Sequence, residues 1–280
     1  MTFVHTGALL ASAVASESAV FAFNVITLEH AEAIVTGAER AGRPVLLQVS
    51  ENAVHFHGGR LAPLLAACNR LAIDADVPIG LHLDHFTDEA LIRESVALAR
   101  DVGVTSIMVD AAQLPFAENQ QHTRALAHEA HDAGLWVEAE LGEIGGKDGA
   151  HAPGVRTDPD DAAAFVRVTR VDGLAVAVGS SHAMTSRDAV IDLELVERLA
   201  ATVPVPLVLH GSSGVSDAVI RDAIGAGIRK VNVGTALNLA FTGEVRRYLA
   251  GDPASSDPRT YLAGAREAIA DRVEHLCSLV

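Results

Sequence analysis

Eight short apolar runs recur along this chain, and each closes on a polar or glycine-containing turn that leads into a helical pattern. The runs are 19–24, 45–49, 79–84, 105–109, 135–141, 174–178, 206–210 and 230–233. Between them lie amphipathic stretches such as 88–102, 118–133, 188–201 and 217–226, with glycine commonly closing the helix. Strand–helix alternation with such short connections builds βαβ units, and βαβ units build a parallel sheet. Eight of them in 280 residues fit the roughly 250 residues typical of an eightfold barrel. The expectation is therefore an α/β protein, a (β/α)8 TIM barrel, with one domain over 1–280. An open doubly wound sheet is the alternative. Aromatics are scarce and Ala, Val and Leu do most of the apolar work, which suits strands buried on both faces under Ala-rich helices.

A formal net charge of −15 argues against nucleic acid or an anionic membrane as partner. It leaves room for an anionic small molecule in a locally positive site. The two cysteines, Cys68 and Cys277, have no metal-knuckle or disulfide spacing and read as free thiols in a reducing cytoplasm. The apolar stretch 8–15 lacks preceding positive charge, since the first basic residue other than histidine is Arg40, and Glu17 follows it. It reads as a short first helix rather than a secretion signal. No apolar stretch is long and uninterrupted enough to span a membrane. One loop, 142–159, carries five glycines and two prolines with no apolar period. It follows the fifth strand and is expected to be a mobile lid.

Active sites of barrels lie at the C-terminal ends of the strands, so what closes each run matters. Asn24 closes the first, Gln48 and Ser50 the second, and His82-Leu83-Asp84-His85 the third. Asp110 closes the fourth, and Glu138, Glu140 and Glu143 the fifth. The sixth leads to Ser180-Ser181-His182, the seventh to His210-Gly211-Ser212-Ser213, and the eighth to Asn232-Val233-Gly234-Thr235. Any one of these could be structural, but together they converge on one mouth. Three histidines, His85, His182 and His210, end three different strands, and a catalytic zinc commonly takes three protein ligands and keeps one position open. His82 is the competing ligand, read as lying behind the metal. Alternation places His85 on the opposite face from His82 and Asp84, so the strand must turn there for Asp84 and His85 both to serve the site. His122, His128 and His131 lack helical metal spacing and read as solvated. The small turns Gly211-Ser212-Ser213-Gly214 and Gly234-Thr235 enter helices after strands seven and eight, where this fold frequently binds phosphate.

These residues bring in a family. AFNV at 22–25, HLDH at 82–85, VEAELGEIGG at 137–146, LHGSSG at 209–214, VNVGT at 231–235 and DPR at 257–259 resemble the class II ketose-bisphosphate aldolases, particularly the fructose/tagatose-bisphosphate branch, across essentially the whole chain. The resemblance implies Zn²⁺ on His85, His182 and His210, with Glu140 as a carboxylate able to sit near the metal. It implies Asp84 as the acid/base at the C4 oxygen, Ser213, Asn232 and Thr235 at the C1 phosphate, and Arg259 at the distal phosphate. A monovalent cation, Na⁺ or K⁺, near the phosphate is usual in the family, and a homo-oligomer, dimer or tetramer, is the expected assembly. The implied reaction is reversible retro-aldol cleavage of a ketose 1,6-bisphosphate to dihydroxyacetone phosphate and an aldehyde phosphate, as in cytoplasmic glycolytic carbohydrate metabolism. Two departures stand out. Ala183 and Met184 follow His182 where relatives often have glycine, and Gly145-Gly146-Lys147-Asp148 lacks the lid glutamate, leaving Asp148 and Glu143 as candidates to replace it.

The other aldolase chemistry forms a Schiff base on lysine. This chain has two lysines, Lys147 in the loop and Lys230 at the start of the eighth run, read as the wrong end of the barrel. Competing readings are another metal-assisted sugar-phosphate enzyme (isomerase, epimerase or phosphatase) and a non-catalytic sugar-phosphate sensor.

Overall fold

All eight apolar runs form strands: β1 (Val20–Asn24), β2 (Val45–Ser50), β3 (Ile79–Phe86), β4 (Ser106–Val109), β5 (Trp136–Leu141), β6 (Gly173–Val176), β7 (Leu207–Leu209) and β8 (Ile228–Val233). In this computed structural model, which describes residues 2–141, 155–180 and 189–280, neighbouring strands pair in parallel and in chain order. β8 returns to β1, so the sheet closes into a barrel. The helices are α1 (Thr6–Ala15), α2 (Leu28–Ala41), α3 (Glu51–Phe56), α4 (Leu61–Asp74), α5 (Glu89–Val102) and α6 (Phe116–Asp132). They continue as α7 (Pro159–Thr169), α8 (Leu193–Thr202), α9 (Asp217–Ala226), α10 (Thr235–Gly251) and α11 (Pro258–Cys277). The closed (β/α)8 barrel expected from the alternation is what forms.

The side-chain period of two divides each strand between two environments. Phe21, Phe23, Leu47, Leu81, Leu83, Ile107 and Val137 join one apolar cluster with the inner faces of the helices. The alternate positions face the barrel axis and change character with height. At the floor, Val20, Ala22, Leu46 and Trp136 pack against Leu9, Leu10 and Ala13 of α1, which plugs the N-terminal end. One level up, His82, Ser106, Glu138 and Lys230 are fully buried polar residues. At the C-terminal ends come Asn24, Asp84, Asp110, Glu140, His210 and Asn232, the level of the candidate site.

Three elements differ from their sequence-based bounds. β6 spans Gly173–Val176 rather than 174–178. The helix expected at 188–201 begins at Leu193, because Asp192 is its N-cap and its carboxylate accepts from the Leu195 N–H at 3.0 Å. β8 begins at Ile228, so Lys230 lies within the strand, two residues before Asn232 and on the same face. Lys230 therefore points into the barrel and not to its far rim, which corrects the sequence-based placement. The expected lid, 142–159, falls outside the described residues over 142–154. Its C-terminal end is anchored by Thr157, whose hydroxyl donates to the Leu141 carbonyl at 2.7 Å and accepts from the Ala177 N–H at 2.8 Å.

Candidate active site

Asp84 and His85 are consecutive, yet both serve the mouth of the barrel. The strand manages this with a bulge. Between Leu83 and Phe86, β3 advances three residues while β4 advances two, from Ile107 to Val109. Within the bulge His85 adopts φ +54°, a left-handed conformation that costs a non-glycine residue about 1–3 kcal/mol and clusters at functional sites. Bulges re-aim side chains beside active sites. The turn that follows is clamped by Glu51 of α3, whose carboxylate accepts from the backbone N–H groups of Thr87 (2.7 Å) and Asp88 (3.0 Å) and from the Thr87 hydroxyl (2.9 Å). Sequence reasoning foresaw the turn but not its clamp.

His85 and His210 meet edge to face, with ring centroids 4.7 Å apart. His85 Nδ1 lies 2.8 Å from Asp110 Oδ2, and His210 Nε2 lies 2.9 Å from Glu138 Oε1. An ionised carboxylate only accepts, so each of these ring nitrogens carries the proton and its opposite nitrogen presents a lone pair. The opposite nitrogens, His85 Nε2 and His210 Nδ1, lie 2.9 Å apart. Two imidazole lone pairs converging in this way, each braced by a carboxylate behind it, form the donor set of a metal centre. The ligand atoms of Asp84, His85 and His210 all lie within 4.8 Å of one another, as do those of His85, Asp110 and Glu140. Glu140 is buried, with Oε2 3.7 Å from His85 Nδ1. His182 lies outside the described residues.

Burial pushes the His210 imidazolium down to about 4, against the bond to Glu138 that favours it. Burial, assisted by the Lys230 charge, likewise takes His82 to about 3. Both rings are therefore neutral at neutral pH, the form that ligates metals. Burial opposes the charge on Asp84, but His85, His210, His82 and Lys230 outweigh it and hold the carboxyl well below the ordinary range. Glu138 is held low in the same way, with Lys230 the largest influence against burial.

Asp84 is also oriented. Gln48 Nε2 donates to Asn24 Oδ1 at 2.8 Å, and Asn24 Nδ2 donates to Asp84 Oδ2 at 2.8 Å. Asn232 Nδ2 donates to the other carboxylate oxygen at 3.3 Å. Gly234 is required beside this relay, because a Cβ there would stand 2.8 Å from Asn24 Oδ1.

These groups open into a cavity of about 600 Å³ whose lining includes Asn24, Asp84, His85, His210 and Asn232. Ser50, Gly211, Ser213, Gly234 and Thr235 line it as well. Ser50 doubles as the N-cap of α3. Ser213 Oγ accepts from the Ala236 N–H at 3.0 Å and ties the turn after β7 to the start of α10. Gly211 makes that turn in the left-handed region at φ +67°. Arg259 does not line the cavity. It sits in the first turn of α11 with its side chain 89% exposed and paired to Asp257 at 2.7 Å. Among the described lining residues there is neither lysine nor arginine. His82 lies beneath the site with Nδ1 2.9 Å from Ser106 Oγ, behind the metal-facing groups as read from the sequence.

A family model described as class-II fructose-bisphosphate aldolase matches residues 4–280. The crystal structure of the YdjI aldolase from Escherichia coli K12 is 32% identical, with 99% of this chain and 97% of that chain covered at a TM-score of 0.85. A fructose-bisphosphate aldolase from Campylobacter jejuni shares the fold at 22% identity and a TM-score of 0.80, over 98% of this chain and 94% of its own.

Proposed function

The chain belongs to the class II fructose-bisphosphate aldolase family and is a carbon–carbon lyase, and from that premise we propose that it is zinc-dependent and reversibly cleaves a fructose- or tagatose-type ketose 1,6-bisphosphate. The observation that carries this reading is the convergence of the His85 and His210 lone pairs beside Asp84. Two imidazoles with a third histidine, His182, give the nitrogen-rich set that zinc prefers, and Glu140 is near enough to serve as an alternate oxygen ligand. When bound, zinc supplies Lewis-acid polarisation of the ketose carbonyl and stabilises the negative charge left on the three-carbon fragment.

The chain's own residues do the rest. Asp84, ionised and pinned by Asn24 and Asn232, receives the C4 hydroxyl proton in cleavage and returns it in condensation. Ser213 and Gly211 after β7, with Gly234 and Thr235 at the start of α10, receive the C1 phosphate, where backbone N–H groups and the helix dipole favour an anion. A monovalent cation beside them would offset the remaining charge. Buried thiols at Cys68 and Cys277 accord with a cytoplasmic location, and among the described residues no helix is long and apolar enough to cross a membrane.

The second phosphate needs a cation that the described lining of this cavity does not supply. In this reading the protein is a homo-oligomer, and the exposed Arg259 guanidinium reaches the distal phosphate of a neighbouring copy, its planar fork suiting that group. Removing a hydrogen bond to a charged group costs about 1.5–3 kcal/mol, roughly ten- to a hundredfold in rate. Arg259→Ala should therefore lower kcat/KM by that factor for fructose or tagatose 1,6-bisphosphate and barely affect a ketose 1-phosphate. Coupled assay of triose phosphate release with added zinc measures both. No release from any of these ketoses would overturn the proposed reaction, and equal losses on mono- and bisphosphates would remove Arg259 from the site.

A further inference from the structure

Lys230 takes no part in the chemistry above, yet it occupies the centre of the barrel. Its Nζ lies 2.7 Å from Glu138 Oε2, and Glu138 Oε1 lies 2.9 Å from His210 Nε2. On its other side Nζ is 3.4 Å from His82 Nε2, and the chain continues from His82 Nδ1 through Ser106 Oγ (2.9 Å) to Thr6 Oγ1 of α1 (2.7 Å). Lys230, Glu138, His82, Ser106 and Thr6 are all fully buried. A hydrogen-bonded line therefore runs from the plug at the barrel floor to a metal-facing imidazole.

Such an ion pair is a poor device for stability alone. Desolvating two charges costs about as much as their attraction returns, and a well-packed apolar pair of similar volume often serves as well or better. What the pair adds is direction. Lys230 engages one oxygen of Glu138, which leaves the other aimed at His210 Nε2 as a fixed acceptor. A ring so held must turn Nδ1 toward His85 Nε2, where a cation would sit.

We propose that Lys230 is a positioning residue for the metal centre, acting through Glu138 on the orientation of His210. The inference rests on the reading of His85 and His210 as metal ligands. It also accounts for a lysine in a barrel interior whose substrate chemistry does not need one.

Zinc affinity, measured by competition with a chromogenic chelator, tests it, with melting temperature as the measure of folding. Lys230→Met should weaken zinc binding about 10–100-fold, the usual effect of losing a partner behind a metal ligand, and leave KM of the zinc-saturated enzyme unchanged. Glu138→Gln should weaken it similarly. The double variant should lose little more than either single one, because both act on His210 through one bond. If Lys230→Met does not fold, the charge-neutral Lys230→Met/Glu138→Gln protein makes the comparison alone and should show the same loss. A folded variant, single or double, that binds zinc as tightly as the wild type overturns the inference, even with a lowered melting temperature. Additive single losses would also overturn it, since Lys230 would then not act through Glu138. Wild-type protein that takes up no zinc would instead overturn the metal reading on which the inference stands.

Discussion

Chelation with EDTA is expected to abolish aldol cleavage, and added Zn²⁺ to restore it, whereas His210→Ala should remove turnover and weaken zinc binding together. The magnitude follows from what the metal does. Lewis-acid stabilisation of a developing enolate-like charge is worth several kcal/mol, so its loss lowers the rate by at least about a thousandfold at 1.36 kcal/mol per tenfold. None of the neighbouring groups can stand in. Gln48, Asn24 and Asn232 are committed to Asp84 and its relay, and Lys230 is committed to Glu138. His210→Ala leaves the Lys230–Glu138 pair in place, so the variant should remain folded, and a circular dichroism spectrum matching the wild type checks that. Cleavage that proceeds undiminished after exhaustive chelation would end the metal-dependent reading.

The barrel was legible because its strands are apolar on both faces and its helices are not, a contrast visible in local sequence. The level of each interior residue was less so. Asn24, Asp84, His210 and Asn232 could be placed at the mouth because each closes an apolar run. His85 could not be placed by alternation, which sends it outward. The bulge opposite β4 that turns it inward depends on pairing between strands more than twenty residues apart. Lys230 was misread for a related reason. A lysine at the edge of an apolar run looks like a solvated rim, and the carboxylate that lets it enter the core, Glu138, is 92 positions away. Counting back by two from Asn232 would have found it, since positions of equal parity along β8 share a face. Glu51 escaped notice because its function, holding the turn after β3, exists only once α3 and that turn are adjacent. Arg259 was singled out by resemblance alone, and its exposed position is why local geometry gives it no function within its own chain.

The second large effect is expected at Asp84. The retro-aldol step requires a base at the C4 hydroxyl, and within the described cavity the Asp84 carboxylate adjoins His85 and His210 while being fixed at both oxygens by Asn24 and Asn232. Its neighbours keep it ionised, so it is ready to receive a proton and has lost the freedom to rotate away from one. Removing a positioned general acid/base typically costs roughly 10²–10⁴ in rate. Asp84→Ala should therefore lower kcat for cleavage by that factor. Zinc content and KM should stay near wild type, because the imidazoles and the turns that receive phosphate are untouched. The amides of Asn24 and Asn232 lose their acceptor, which is tolerable beside an open cavity where water can replace it. Steady-state kinetics with fructose or tagatose 1,6-bisphosphate, alongside metal analysis of the same preparation, separates the outcomes. A variant with normal kcat and a raised KM would make Asp84 a binding group. One that had lost its zinc would make it a ligand, consistent with its place in the Asp84, His85, His210 cluster, and proton transfer at C4 would then have to be assigned to another residue.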